Sequence, residues 1–69
     1  MTEIQLYDRV RVVTSRFAGE GVVAGMVGYV VEVYPDGEFE VEVSEPSTGE
    51  TVAQFAASPA DVERDEHRG

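Results

Sequence analysis

Tyr29-Val30-Val31-Glu32-Val33-Tyr34-Pro35-Asp36-Gly37-Glu38-Phe39-Glu40-Val41-Glu42-Val43 reads as two strands and the turn that joins them. The first six residues are β-branched and aromatic, and the last six alternate strictly between carboxylate and apolar side chains. Between them, Pro35 suits the first position of a type I turn. Gly37 supplies the positive φ that closes a three-residue loop with a bulge. If Tyr34 pairs with Glu38, then Val33 faces Phe39, Val31 faces Val41 and Tyr29 faces Val43. Those six side chains share one face, the expected core. The other face sets Glu32 across from Glu40, and Glu42 across from Val30. Like charges directly opposed on a sheet are unfavourable, so the hairpin carries acidity that local stability does not ask for.

Working outward, Leu6 to Val13 alternates Arg9 and Arg11 with Val10 and Val12, the period of a half-buried strand. Thr14 to Gly25 lacks a clean period and reads as a long loop with buried anchors at Phe17 and at Val22 or Val23. Gly28 reads as a tight start to the second strand, where one backbone passes close to its neighbour. Beyond the hairpin, Ser44 to Glu50 is a turn and Thr51 to Phe55 a fourth strand. Ser58-Pro59-Ala60-Asp61 places a capping residue before proline, the start of a single helical turn, and Val62 anchors a last short strand. The expectation is an all-β domain: a small five-stranded SH3-like barrel with one helical turn before the last strand. It spans residues 1–64, with residues 65–69 as a flexible tail.

Sixty-nine residues make one domain with a modest core. No cysteine staples it, and no Cys/His pattern frames a zinc site. No apolar run has the length to span a bilayer, and the acidic start Met1-Thr2-Glu3-Ile4-Gln5 is unlike a signal peptide. The expected location is cytoplasmic. Fourteen acidic residues face five arginines and no lysine, a formal net charge of −9. Such a body repels phosphate backbones and anionic lipid and attracts basic partners, so neither nucleic acid nor membrane is an expected partner. Acidity of this kind also serves solubility, and it suits a halophilic or high-GC source.

The chain is poor in catalytic groups. Its single histidine, His67, falls in the expected tail, and lysine and cysteine chemistry are absent. Glu32 and Glu40 could share a proton, but a convex strand face lacks the apolar cleft that would tune them. Gly19-x-Gly21 and Gly25-x-x-Gly28 precede a strand, not a helix, and no lysine follows, so no phosphate loop is expected. Carboxylates are dense from Glu32 to Glu50 without the Asp-x-Asp-x-Asp-Gly order of a calcium loop. The sequence implies no enzyme, no cofactor and no metal site. Leu6-Tyr7-Asp8 resembles the opening of the tyrosine-rich motif of eukaryotic SH3 domains, but the tryptophan of their peptide shelf is missing here. Asp8-x-Val10 with Gly28-x-Val30 resembles a KOW-type barrel. RNA-binding KOW modules are basic, whereas no basic residue lies between Arg16 and Arg64.

The order of features also resembles a family of short, stand-alone acidic bacterial proteins known only as a domain of unknown function. The resemblance runs from Leu6 to Val62. It is carried by Leu6-Tyr7-Asp8-Arg9-Val10, Gly25-Met26-Val27-Gly28-Tyr29-Val30-Val31-Glu32-Val33-Tyr34, Phe39-Glu40-Val41-Glu42-Val43, Gly49-Glu50-Thr51-Val52-Ala53 and Ser58-Pro59-Ala60-Asp61-Val62. It implies an SH3-like, non-enzymatic fold and an antitoxin or immunity role, and it hands over no site residues. The residues themselves point to Glu32, Glu38, Glu40 and Glu42, with Tyr34 as aromatic anchor, as the surface for a basic protein such as a toxin or nuclease. The other expectation is a structural accessory subunit or a homodimer, meeting its partner through an open sheet edge or through Phe17, Val22, Val23 and Met26.

Overall fold

The computed structural model describes residues 3–45 and 47–65. Five strands form one antiparallel sheet: β1 Arg9–Val12, β2 Val27–Val33, β3 Phe39–Ser44, β4 Thr51–Ala57 and β5 Val62–Arg64. Their order is β4-β3-β2-β1-β5, so the last strand returns to pair with the first. The all-β expectation holds. The closed barrel does not, because β4 and β5 are the two edges and no ladder joins them.

The β2–β3 turn follows its sequence. Gly37 has φ +91°, its N–H donates to the Tyr34 carbonyl at 3.0 Å, and Tyr34 N–H donates to the Glu38 carbonyl at 2.8 Å. Register near the turn is as expected: Val33 faces Phe39 and Glu32 faces Glu40. A bulge then falls between Val30 and Glu32, so Val30 pairs with Val41, Tyr29 with Glu42 and Gly28 with Val43. One extra residue reverses the alternation. Val30 is fully buried and Val31 half-buried, while Tyr29, expected in the core, points outward and is 49 % exposed. Val33 keeps the expected register but lies exposed near the end of the hairpin.

Gly28 is where that register needs the missing side chain. A Cβ there would meet the Glu42 carbonyl oxygen at 2.5 Å and Val43 Cγ2 at 3.0 Å. The core fills one face of the sheet with Val10, Val12, Val30, Phe39, Val41, Val43, Phe55, Ala57 and Val62, joined by Phe17 and Val22 from the β1–β2 loop. Phe17 and Phe55 lie with ring centroids 4.4 Å apart, inclined at 43°. Thus the loop covers what the open sheet leaves bare. Val23 is exposed and Met26 only partly buried. The surface expected at Phe17, Val22, Val23 and Met26 is therefore split: its first two members are spent in the core.

The helical turn also sits elsewhere. A short 3-10 helix occupies Ala18–Glu20 in the β1–β2 loop. Ser58–Asp61 is a hydrogen-bonded turn, closed by Asp61 N–H donating to the Ser58 carbonyl at 2.9 Å. β4 extends to Ala57, two residues beyond the expected strand. Asp65 N–H donates to the Arg9 carbonyl at 2.9 Å, and the rest of the expected tail, residues 66–69 with His67, lies outside the described residues.

Candidate functional site

The outer face of the sheet is built in rows. Pairing of β1, β2, β3 and β4 sets Arg9, Tyr29, Glu42 and Gln54 side by side. A second row nearer the hairpin turn sets Glu32, Glu40 and Ala56 side by side. Strand alternation along β3 brings Glu40 and Glu42 to this same face.

Three of the five expected residues come together tightly. Glu32 and Glu40 are direct cross-strand partners, and the Tyr34 hydroxyl donates to Glu40 Oε1 at 3.1 Å. That bond, partial desolvation and the negative charges of Glu40 and Glu32 together raise the Tyr34 pKa above the ordinary phenol value. The phenol therefore stays a donor and holds Glu40 in place. Glu42, in the neighbouring row of the same face, accepts a hydrogen bond from Thr51 Oγ1 at 2.7 Å. Glu38, half-buried just after the turn, donates its N–H to Asp36 Oδ1 at 3.0 Å, and its charge adds a lesser contribution to the Asp61 hydrogen bond that chiefly raises the Arg16 pKa.

Arg9, Arg11 and Arg64 lie on the paired strands β1 and β5, and Arg16 lies in the β1–β2 loop. Arg9 pairs with Asp65, Arg11 with Glu63 and Asp65, Arg64 with Asp8, and Arg16 with Asp61. The cations are thus matched to carboxylates of β5 and its flanks and to Asp8, whereas Glu40 and Glu42 accept hydrogen bonds from hydroxyls. Charge is segregated along the sheet.

Two features of the structure escape a reading by alternation. Tyr29 is brought out beside Glu42 and Arg9 by the bulge, and it lines a shallow depression with Arg9, Val27 and Ser44. The signal was the adjacent pair Val30-Val31, two valines where strict alternation allows one inward. The other is Asp61, exposed by only 4 %. It accepts Arg16 Nε at 2.9 Å and Nη2 at 2.8 Å, together with Ser58 N–H at 2.9 Å and Ser58 Oγ at 3.2 Å. The Arg16 hydrogen bonds lead the causes that hold its pKa down at about 2, against the opposing effect of burial. Arg16 in turn lies 4.4 Å above the Phe17 ring. This pair locks the β1–β2 loop to the turn before β5, which makes it a fastening for the fold.

Among the described residues no group of three or more Asp, Glu, His or Cys side chains is arranged to hold a metal ion. Every buried polar side-chain atom among them has a hydrogen-bond partner. No described helix is long and apolar enough to cross a membrane.

Fold and site together define a small all-β domain, open-sheeted, with a carboxylate-rich hairpin face. The chain belongs to the family described as Domain of unknown function (DUF4926), whose model matches residues 6–64. Neither the curated proteins nor the solved structures contain a match to it.

Proposed function

We propose that this chain is an SH3-like, non-enzymatic binding domain whose acidic hairpin face engages a basic protein surface, in the manner of an antitoxin or immunity protein. The observation that carries the reading is the cross-strand pair Glu32–Glu40, continued by Glu42, on a face whose neighbouring arginines are already paired elsewhere. Opposed carboxylates cost a few tenths of a kcal/mol or more in a hairpin. A cationic partner converts that cost into attraction. Tyr34 and Tyr29 add the aromatic surface that anchors such contacts. The SH3-like part of the reading is supported by five short antiparallel strands, a last strand that returns to the first, and a loop that closes over the core.

The test uses the product of the adjacent reading frame as the candidate partner. A Glu32→Lys/Glu40→Lys variant should keep the wild-type circular dichroism spectrum and lose binding to a basic partner in isothermal titration calorimetry. Binding by the wild type should weaken steeply with salt. Unchanged affinity in the double variant would sink the proposal.

A further inference from the structure

The two edges of the sheet are built differently. β5 is three residues long, and its Glu63 and Arg64 are both engaged in ion pairs. β4 is seven residues long, Thr-Val-Ala-Gln-Phe-Ala-Ala, with no charge and no proline. Its backbone pairs with β3 on one side. Among the described residues, no backbone hydrogen bond of a turn or loop engages 51–57. Folded proteins normally blunt a long edge with lysine, proline or an inward charge, because unpaired N–H and C=O groups template another strand. Here only the bulge at the Thr51 end interrupts it, where Val43 pairs with Ala53 and Ser44 with Thr51, leaving Val52 out of register and 46 % exposed.

We infer that the β4 edge pairs with β4 of a second copy, antiparallel about a two-fold axis at Phe55, to give a homodimer with a continuous ten-stranded sheet. The bulge-free segment Ala53–Ala57 is self-complementary about that axis. Phe55 meets its own copy, Ala53 meets Ala57, and Gln54 meets Ala56. The inner row then runs from Val41 through Phe55 to the second Phe55, extending apolar surface that already exists.

Charge selects this edge for a second copy. The nearest outer-face carboxylates, Glu40 and Glu42, sit on β3, one strand in from the seam. The two β3 strands of the dimer are three interstrand spacings apart, about 14 Å. That exceeds the screening length of about 8 Å at physiological salt. At β5 the same pairing would bring charged side chains directly together. A net charge of −9 on each copy still opposes approach from afar. The dimer therefore strengthens as salt rises, opposite in sign to the salt response of a contact between the acidic face and a basic protein. A pairing of one short strand buries less than a stable interface requires, so the equilibrium is weak and reversible.

Sedimentation velocity at rising protein concentration, in low and high sodium chloride, reads this equilibrium directly. The expected result is a concentration-dependent dimer whose dissociation constant falls several-fold with salt. The blocking variant is Gln54→Lys/Ala56→Lys, at two exposed positions where each lysine lies across from a glutamate of its own β3. The fold is thereby kept, and circular dichroism checks it. At the seam each new lysine opposes a lysine of the other copy. The net charge falls in magnitude to −7, so a non-specific association would strengthen, whereas pairing through β4 should weaken at least tenfold. A monomer at millimolar concentration in high salt overturns the inference. So does a dimer that the lysine pair leaves intact.

Discussion

Replacing Asp61 by asparagine keeps the size of the side chain and removes its charge. In the native fold that carboxylate takes two hydrogen bonds from Arg16 and two from Ser58 while only 4 % exposed. Its pKa falls from an unperturbed 3.8 to about 2. At about 1.4 kcal/mol per unit this caps the electrostatic contribution near 2.5 kcal/mol. The Arg16 side chain is 56 % exposed, so water screens the pair and the contribution comes down to about 1–2 kcal/mol. For a domain of this size that is a drop in Tm of roughly 4–16 °C. The sign with pH follows from the depressed value: the stabilisation is complete above the unfolded pKa and drains away as pH falls from about 5 toward 2. Urea denaturation of wild type and Asp61→Asn at neutral pH and near pH 2 measures the difference, and repulsion common to both chains cancels. The gap should be open at neutral pH and nearly closed at the acid end. Arg16→Ala and Asp61→Asn should also be strongly sub-additive in a double-mutant cycle. A gap that persists unchanged in acid, or two simply additive effects, refutes the fastening role.

Two other outcomes follow from the hairpin. Gly28→Ala drives a Cβ against the rigid Glu42 carbonyl and should destabilise by about 1–3 kcal/mol, visible as a lower urea midpoint; a neutral effect would mean that the strands separate freely there. Subtracting the ultraviolet titration of Tyr34→Phe from that of wild type isolates the Tyr34 phenol, whose midpoint should lie above the ordinary value of about 10 and move down in Glu40→Gln. A midpoint indifferent to Glu40→Gln would show that the Tyr34–Glu40 hydrogen bond does not hold in solution.

Local chemistry made much of this fold legible. Pro35-Asp36-Gly37 permits few turns, and a turn fixes its nearest pairs, so Glu32 opposite Glu40 could be read directly. Phe17, and one of Val22 or Val23, were legible as loop anchors because a loop around a small core must bring its own apolar side chains; the core takes Val22. The bulge was harder. Alternation alone carries Tyr29 inward, and only the doubled Val30-Val31, with a glycine at 28 that admits close approach, marks the reversal. Ser-Pro-Ala-Asp supplies cap chemistry, so local sequence alone points to a helical start that includes Asp61. Its real partner, Arg16, is 45 residues away in sequence, and no local pattern encodes that distance. Closure of the sheet is hidden from local sequence for a related reason. Strand count and length suit a barrel, but whether β4 meets β5 depends on how sharply the sheet curls, and Phe17 fills that side of the core instead.

The segregation of charge along the outer face gives the molecule a direction. Arg9 and Arg11 bound to Glu63 and Asp65, with Arg64 bound to Asp8, leave the β1–β5 side nearly neutral, while Glu32, Glu40 and Glu42 leave the hairpin side negative. A cationic body diffusing within a screening length, about 8 Å at physiological salt, is turned toward the hairpin before any contact forms. For the basic partner proposed above, such orientation during the encounter would raise the association rate more than it slows dissociation. Neutralising Glu32 or Glu42 would accordingly be felt first as slower arrival, with lifetimes of the bound state changed far less.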